Sequence, residues 1–153
     1  MILDSGERRS FDTGAVRDIQ EGKGRPTLMP LQVVAKLLEK QTGDYIFKAI
    51  HAFTQTGETR HLYAALIKFV VMAYSGEPET MILETAIHFE EGAKKYGENN
   101  WKLGIPVNCY LDSAIRHYLK WRRGDNDEPH HRAFVFNLMC CIWEVDYHEN
   151  KHH

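Results

Sequence analysis

The sequence predicts an all-α protein, a compact bundle of about five or six helices preceded by an extended N-terminal arm. Three observations carry that reading. Pro26, Pro78, Pro106 and Pro129 each precede an apolar run of three-or-four spacing, where a missing N–H and a preset φ cost least. Gly43, Gly57, Gly76, Gly97, Gly104 and Gly124 fall in the gaps between runs. Alternating β-branched segments are scarce, so no strand is expected beyond a short piece in the arm.

Residues 1–25, which include "DSGERRSFDTGAVRDIQEGKGR", are polar and aperiodic and form the arm; residues 26–153 form a single helical domain. Its helices are expected at about 27–40, 44–55, 59–75, 78–96, 106–123 and 128–148. On the 78–96 helix, Ile82, Ala86, Phe89, Ala93 and Tyr96 form the core stripe, and Glu84, His88, Glu91 and Lys95 form a second, polar one. On the 106–123 helix, Leu111, Ala114, Ile115, Tyr118 and Leu119 face the core. Ser113, His117 and Lys120 share one flank there, and Asp112 and Arg116 make an i,i+4 pair. On the last helix His130, Asn137 and Glu144 recur every seven residues. Asn137 sits inside "AFVFNLMCC", where an amide is costly unless something bonds it.

A length of 153 residues suits one domain with a sizeable core, and 43% hydrophobic with 26% charged residues suits a soluble globular protein. The balance of 19 basic and 21 acidic residues, net −2, argues against a coat for nucleic acid or for an anionic membrane. No apolar run reaches membrane-spanning length, and "MILDSGERRS" lacks a signal-peptide core. Three cysteines, two of them the adjacent Cys140 and Cys141, read as reduced buried thiols of a cytosolic protein. The closing "HENKHH" reads as a solvated tail in preference to a metal site.

The chemistry concentrates in a few places. "RDIQEGKGR" puts Arg17, Lys23 and Arg25 beside glycines that let backbone approach an anion, yet it lacks P-loop spacing and by itself reads as a solvated arm in preference to a phosphate cradle. "YGENNW" either stacks and reads a base or simply plugs the core with Trp101 and caps a turn with an asparagine. Arg116 offers a planar fork for phosphate, and His117 is either a general acid–base or a helix-bonded histidine. Paired zinc spacings are absent, and the carboxylate inventory permits magnesium.

Taken together, "TGAVRD" with "GKGR", then "GAKKYG", "NNW", "SAIRH" and the spacing of Asp127, His130 and Asn137 resemble the phage-associated dATP/dGTP diphosphohydrolase N-terminal family. The resemblance covers both ends of the chain and leaves residues 40–78 as an apparent insertion. It implies a phage or prophage protein handling purine nucleotides in the cytoplasm of an infected or lysogenic bacterium. Its nucleotide site would gather Arg17, Lys23, Arg25, Lys95, Tyr96, Asn100, Trp101, Arg116, His130 and Asn137 in one cavity, with His117 beside them. The arm would fold back over that cavity or wrap a neighbour, since homo-oligomers are expected.

Two functions follow from the resemblance. In an enzyme, Mg2+ held by Glu91 and Asp112 would bridge the phosphates, Glu91 and His117 would be the catalytic groups, and His117 would move the proton. The magnesium pattern of all-α pyrophosphatases, ExxE then ExxD, is missing from "HFEEGAKKYGE" and "YLDSAIRH". In the alternative, the same cavity captures a host defence signalling nucleotide and holds it unreacted.

Overall fold

The computed structural model describes residues 4–149. Its chain opens with an antiparallel hairpin, β1 (Arg8–Ser10) and β2 (Val16–Asp18), in which Arg9 faces Arg17 across the ladder. A 3-10 turn at Pro26–Leu28 leads into α1 (Leu31–Thr42), α2 (Ile46–Thr56), α3 (Arg60–Tyr74) and α4 (Pro78–Tyr96). A second 3-10 turn (Asn100–Leu103) precedes α5 (Val107–Arg123) and α6 (His130–Trp143), and a π turn at Glu144–His148 closes the described chain. The all-α class therefore stands, with the strand content confined to the arm.

The first expected helix starts late for a local reason. Pro30 has no N–H and drives Met29 into extended backbone (φ −81°, ψ 158°), so α1 begins only at Leu31. α5 and α6 pack against each other at the centre. Phe69 of α3 meets them, lying edge-on to Tyr118 and Phe134 with ring centroids 6.1 and 4.7 Å away. The segment 40–78 shares this core through Phe47, Ile50, Leu62 and Phe69. Buried Asp44 ties it to α5 by accepting the Tyr118 hydroxyl and also caps the Ile46 N–H at 2.8 Å. Cys109, Cys140 and Cys141 are free and buried, and burial pushes the Cys140 thiol up to about 12.

The 78–96 helix departs from its expected register. Met81, Thr85 and His88 turn inward, whereas Ile82 and Ala86 are exposed and Phe89, Ala93 and Tyr96 are only half-buried. The supposedly polar stripe wins the inner face because α6 offers it partners. His88 packs on Phe136 at 4.7 Å, Glu91 accepts from Arg132 at 3.1 Å, and Glu84 lies 3.5 Å from His131. Ile82, Leu83 and Ile87 are left facing outward on α4, as are Ile67 and Val71 on α3.

The arm is fastened to its own domain by polar groups spaced along it. Thr13 donates to the Gly104 carbonyl at 2.5 Å. Gly104 has φ +107°, and a Cβ there would come within 3.1 Å of Thr13 Cγ2 and 2.8 Å of the His148 ring, so glycine suits the close docking of the hairpin here. Asn100 mimics a neighbouring strand, accepting from Val16 N–H at 2.9 Å and donating to its carbonyl at 2.8 Å. Further on, buried Asp112 accepts from the Thr27 N–H and hydroxyl, both at 2.8 Å, and from Arg25 at 3.2 Å. The expected Asp112–Arg116 pair does not form, because Asp112 is spent on residues 25–27 while Arg116 turns to Gln20 and Gly24.

Asp112→Ala is therefore expected to loosen the arm rather than the bundle. Losing these charge-assisted bonds should cost about 2–3 kcal/mol of unfolding free energy. Limited trypsinolysis should then cut after Lys23 before any helical site; unchanged protection of that bond would contradict this attachment.

Candidate functional site

The docked hairpin covers a cavity of about 770 Å3, within the range of nucleotide-sized ligand sites. Arg17, Lys23, Tyr96, Asn100, Trp101, Arg116, His117 and Asn137, all anticipated from sequence, line it. Arg25, Lys95, His130, Glu91 and Asp112 do not. Arg25 is bound to Asp112, Lys95 stands 3.8 Å from Asp4, and His130 lies behind His117.

The cavity has two unlike sides. Along one, α4 and α6 supply His88, Phe89 and Phe136, and the second 3-10 turn adds Trp101. Phe89 sits 4.6 Å from Phe136 and edge-on to Trp101 at 5.8 Å; Trp101 is backed by Trp143 at 5.0 Å. Trp101 thus does both things left open by its sequence context, packing on the core and presenting ring surface to the cavity. Asn100 lines the cavity too, but its amide is committed to the Val16 backbone rather than to a base edge.

The other side comes from the hairpin and α5 and is cationic. Arg17 donates to Ser113 Oγ and to Asn137 Oδ1, each at 3.0 Å, and lies over the Tyr110 ring at 5.1 Å. Asn137 completes its own bonding by donating to the Ala133 carbonyl at 2.8 Å. Arg116 shares Ser113 Oγ at 3.2 Å and reaches the Gly24 carbonyl at 2.6 Å. Among the described residues no carboxylate pairs with Arg17 or Arg116. Burial pulls the Arg116 pKa down and nearby Arg17 adds to that, against the pull of Asp112. Two guanidinium groups bonded to neutral partners in one cavity keep donors of the kind that suits an anion.

Two histidines face the same space. His88 is 5% exposed, and its Nδ1 is buried with no hydrogen-bond partner. Burial, reinforced by Arg132, holds its pKa near about 3. His117 is likewise held well below the usual range by burial, then by His130 and Arg116. Both rings are neutral at pH 7. His117 Nδ1 lies 2.9 Å from His130 Nδ1, and His130 Nε2 lies 2.6 Å from Asp127.

The carboxylates expected to hold magnesium are placed apart from this chemistry. Glu91 serves Arg132, and Asp112 serves Thr27 and Arg25; neither lines the cavity, so this pair does not fit a Mg2+ ion serving it. Sequence reasoning missed His88, Phe89 and Phe136 as lining residues. Phe136 sits in an apolar run whose pattern is the same for core and cavity, and His88 was assigned to the wrong face.

Fold and site together define an all-α protein whose own N-terminal hairpin roofs a cavity with one aromatic and one cationic side. Its family follows from comparison: a sequence model described as dATP/dGTP diphosphohydrolase, N-terminal, matches residues 55–152, and the chain belongs to that family. The match includes Trp101, Arg116, His117 and Asn137 and begins after Arg17. Neither a curated protein nor a solved structure matches the chain.

The two neutral histidines fix a pH dependence. An unfolded histidine takes a proton near pH 6.5, whereas these do so only at lower pH, so between those limits the unfolded chain binds more protons. Stability is full above about pH 6.5 and falls below it, by at most about 1.4 kcal/mol per pH unit for each ring. His88→Phe, which keeps contact with Phe136, should flatten the drop in melting temperature between about pH 6.5 and pH 5. An unaltered slope would show that His88 is charged in the fold.

Proposed function

We propose that the cavity binds a purine deoxynucleoside triphosphate, dATP or dGTP, with the base against Trp101, Phe89 and Phe136 and the phosphates on Arg17 and Arg116. The observation that carries this reading is the pair of guanidinium groups, bonded only to neutral partners among the described residues, sharing one cavity with an aromatic cluster. Lys120 adds positive charge to the lining, and His117 is the neutral imidazole placed beside Arg116 to accept a proton. The family supports the choice of nucleotide and points to release of diphosphate as the activity. We place this chemistry in the bacterial cytoplasm during phage infection or lysogeny, and the outward apolar residues of α3 and α4 support self-association.

A second reading, capture of a host signalling nucleotide without hydrolysis, is favoured by one feature. The rim carboxylates Asp4 and Asp18 are engaged by Arg8 and Lys23, and no ExxE…ExxD set lines the cavity. Mass spectrometry after prolonged incubation with divalent metal separates the two. Diphosphate and monophosphate products support the enzyme, and intact nucleotide recovered from denatured complex supports capture.

Both readings require the same binding energetics. Arg116→Ala should lose about 2 kcal/mol or more of binding free energy, roughly 30-fold in Kd, with little change in helix content. Asn137→Leu should weaken binding as well, because Arg17 loses the acceptor that aims it. Calorimetry with dGTP and dATP reads both; wild-type affinity in Arg116→Ala would remove the phosphate assignment.

A further inference from the structure

The junction of α5 and α6 holds a group of ligating atoms, His117 among their residues, that the proposed contacts to base and phosphates do not use. His117 and His130 point their Nδ1 atoms at each other across 2.9 Å. Glu128 joins them: one ring nitrogen of each histidine and one Glu128 carboxylate oxygen lie within 4.8 Å of one another. Behind His130, Asp127 takes the Nε2–H at 2.6 Å. That bond selects the tautomer in which Nδ1 of His130 carries its lone pair toward His117, the arrangement in which a carboxylate orients a metal-ligating imidazole. His130 is buried, while His117 and Glu128 line the cavity, so the set is closed on the protein side and open on the cavity side.

We propose that His117, Glu128 and His130 form a three-ligand site for a divalent first-row transition metal, Zn2+ or Co2+ in class, with its remaining position open to the cavity and Asp127 as the orienting residue. Geometry and donor chemistry agree. With metal–nitrogen bonds of about 2.0–2.1 Å, a nitrogen separation of 2.9 Å subtends about 90°, so a slight opening of the rings reaches tetrahedral angles. Two imidazoles and one carboxylate suit borderline metals, whereas magnesium and calcium prefer oxygens throughout. On loading, the hydrogen shared by the two rings leaves Nδ1, and His117 carries it on Nε2. The neighbouring combination of Asp125, Asp127 and His130 is the poorer site, because Asp125 is paired with Arg123 and Asp127 is exposed.

The metal would stand beside Arg116, where the phosphates of the proposed nucleotide lie. That placement rests on the nucleotide reading, but metal binding itself does not. It also supplies a metal position in a chain whose expected magnesium carboxylates are engaged elsewhere.

The test uses the full chain carrying His152→Ser and His153→Ser, which removes tail histidines as a competing source of ligands. Stripped protein is titrated with Co2+ in the absence of nucleotide. One equivalent should bind, giving the visible absorption of nitrogen-bound, non-octahedral cobalt, and Zn2+ should displace it. Asp127→Asn should weaken binding about 10–100-fold, and His117→Gln should abolish stoichiometric uptake. Glu128→Gln, outside the helices, should weaken it also and serves if a histidine variant misfolds. No stoichiometric binding, or affinity unchanged in His117→Gln and Glu128→Gln, overturns the site. A thermal shift with dGTP in chelator, run in parallel, tells loss of the metal site from loss of the nucleotide site.

Discussion

The guanidinium of Arg17 is the constraint on which the site depends. It reaches from the hairpin to Ser113 on α5 and Asn137 on α6, so one side chain joins the arm to two helices 96 and 120 residues further along the chain. Each acceptor is neutral, which fixes the position of the charge without cancelling it. A carboxylate in place of Asn137 would hold the arm more firmly and remove the anion site. The buried amide is costly in an apolar helix, and here the cost is offset by its bonds to Arg17 and to the Ala133 carbonyl.

The rest of the arm follows a consistent division of labour. Fastening is done by Thr13 on Gly104 and by Asp112 on residues 25–27, outside the cavity lining, and by Asn100 on Val16 within it. Those contacts free Arg17 and Arg116 from having to hold the hairpin alone. Facing them, His88 remains neutral because α4 and α6 exclude water from it, so the aromatic side presents polar atoms without adding charge. A planar, weakly polar group and an anion on one molecule match that division.

Much of this was legible from residue order. The helices, their proline starts and the buried line of His130, Asn137 and Glu144 follow from periodicity, and Asn137 declared itself because an amide in an apolar helix needs a partner. The inner face of α4 was not legible. Its apolar residues form a competent stripe, and only α6, with His131 and Arg132 opposite, reveals why the charged face turns in. The engagement of Asp112 was hidden similarly, since the i,i+4 spacing to Arg116 is satisfied in sequence and overruled by Thr27 and Arg25 in space. Among the anticipated cations, Arg17 and Arg116 reach the cavity and Arg25 does not, a distinction set by tertiary docking rather than by the glycine-rich string itself.

The central claim is spatial and can be seen directly in a crystal structure of the chain grown with dGTP. The account places the purine ring among Trp101, Phe89 and Phe136, with phosphate oxygens within hydrogen-bond reach of Arg17 and Arg116. Density for the nucleotide on another surface, or phosphates turned away from both guanidinium groups, would contradict it.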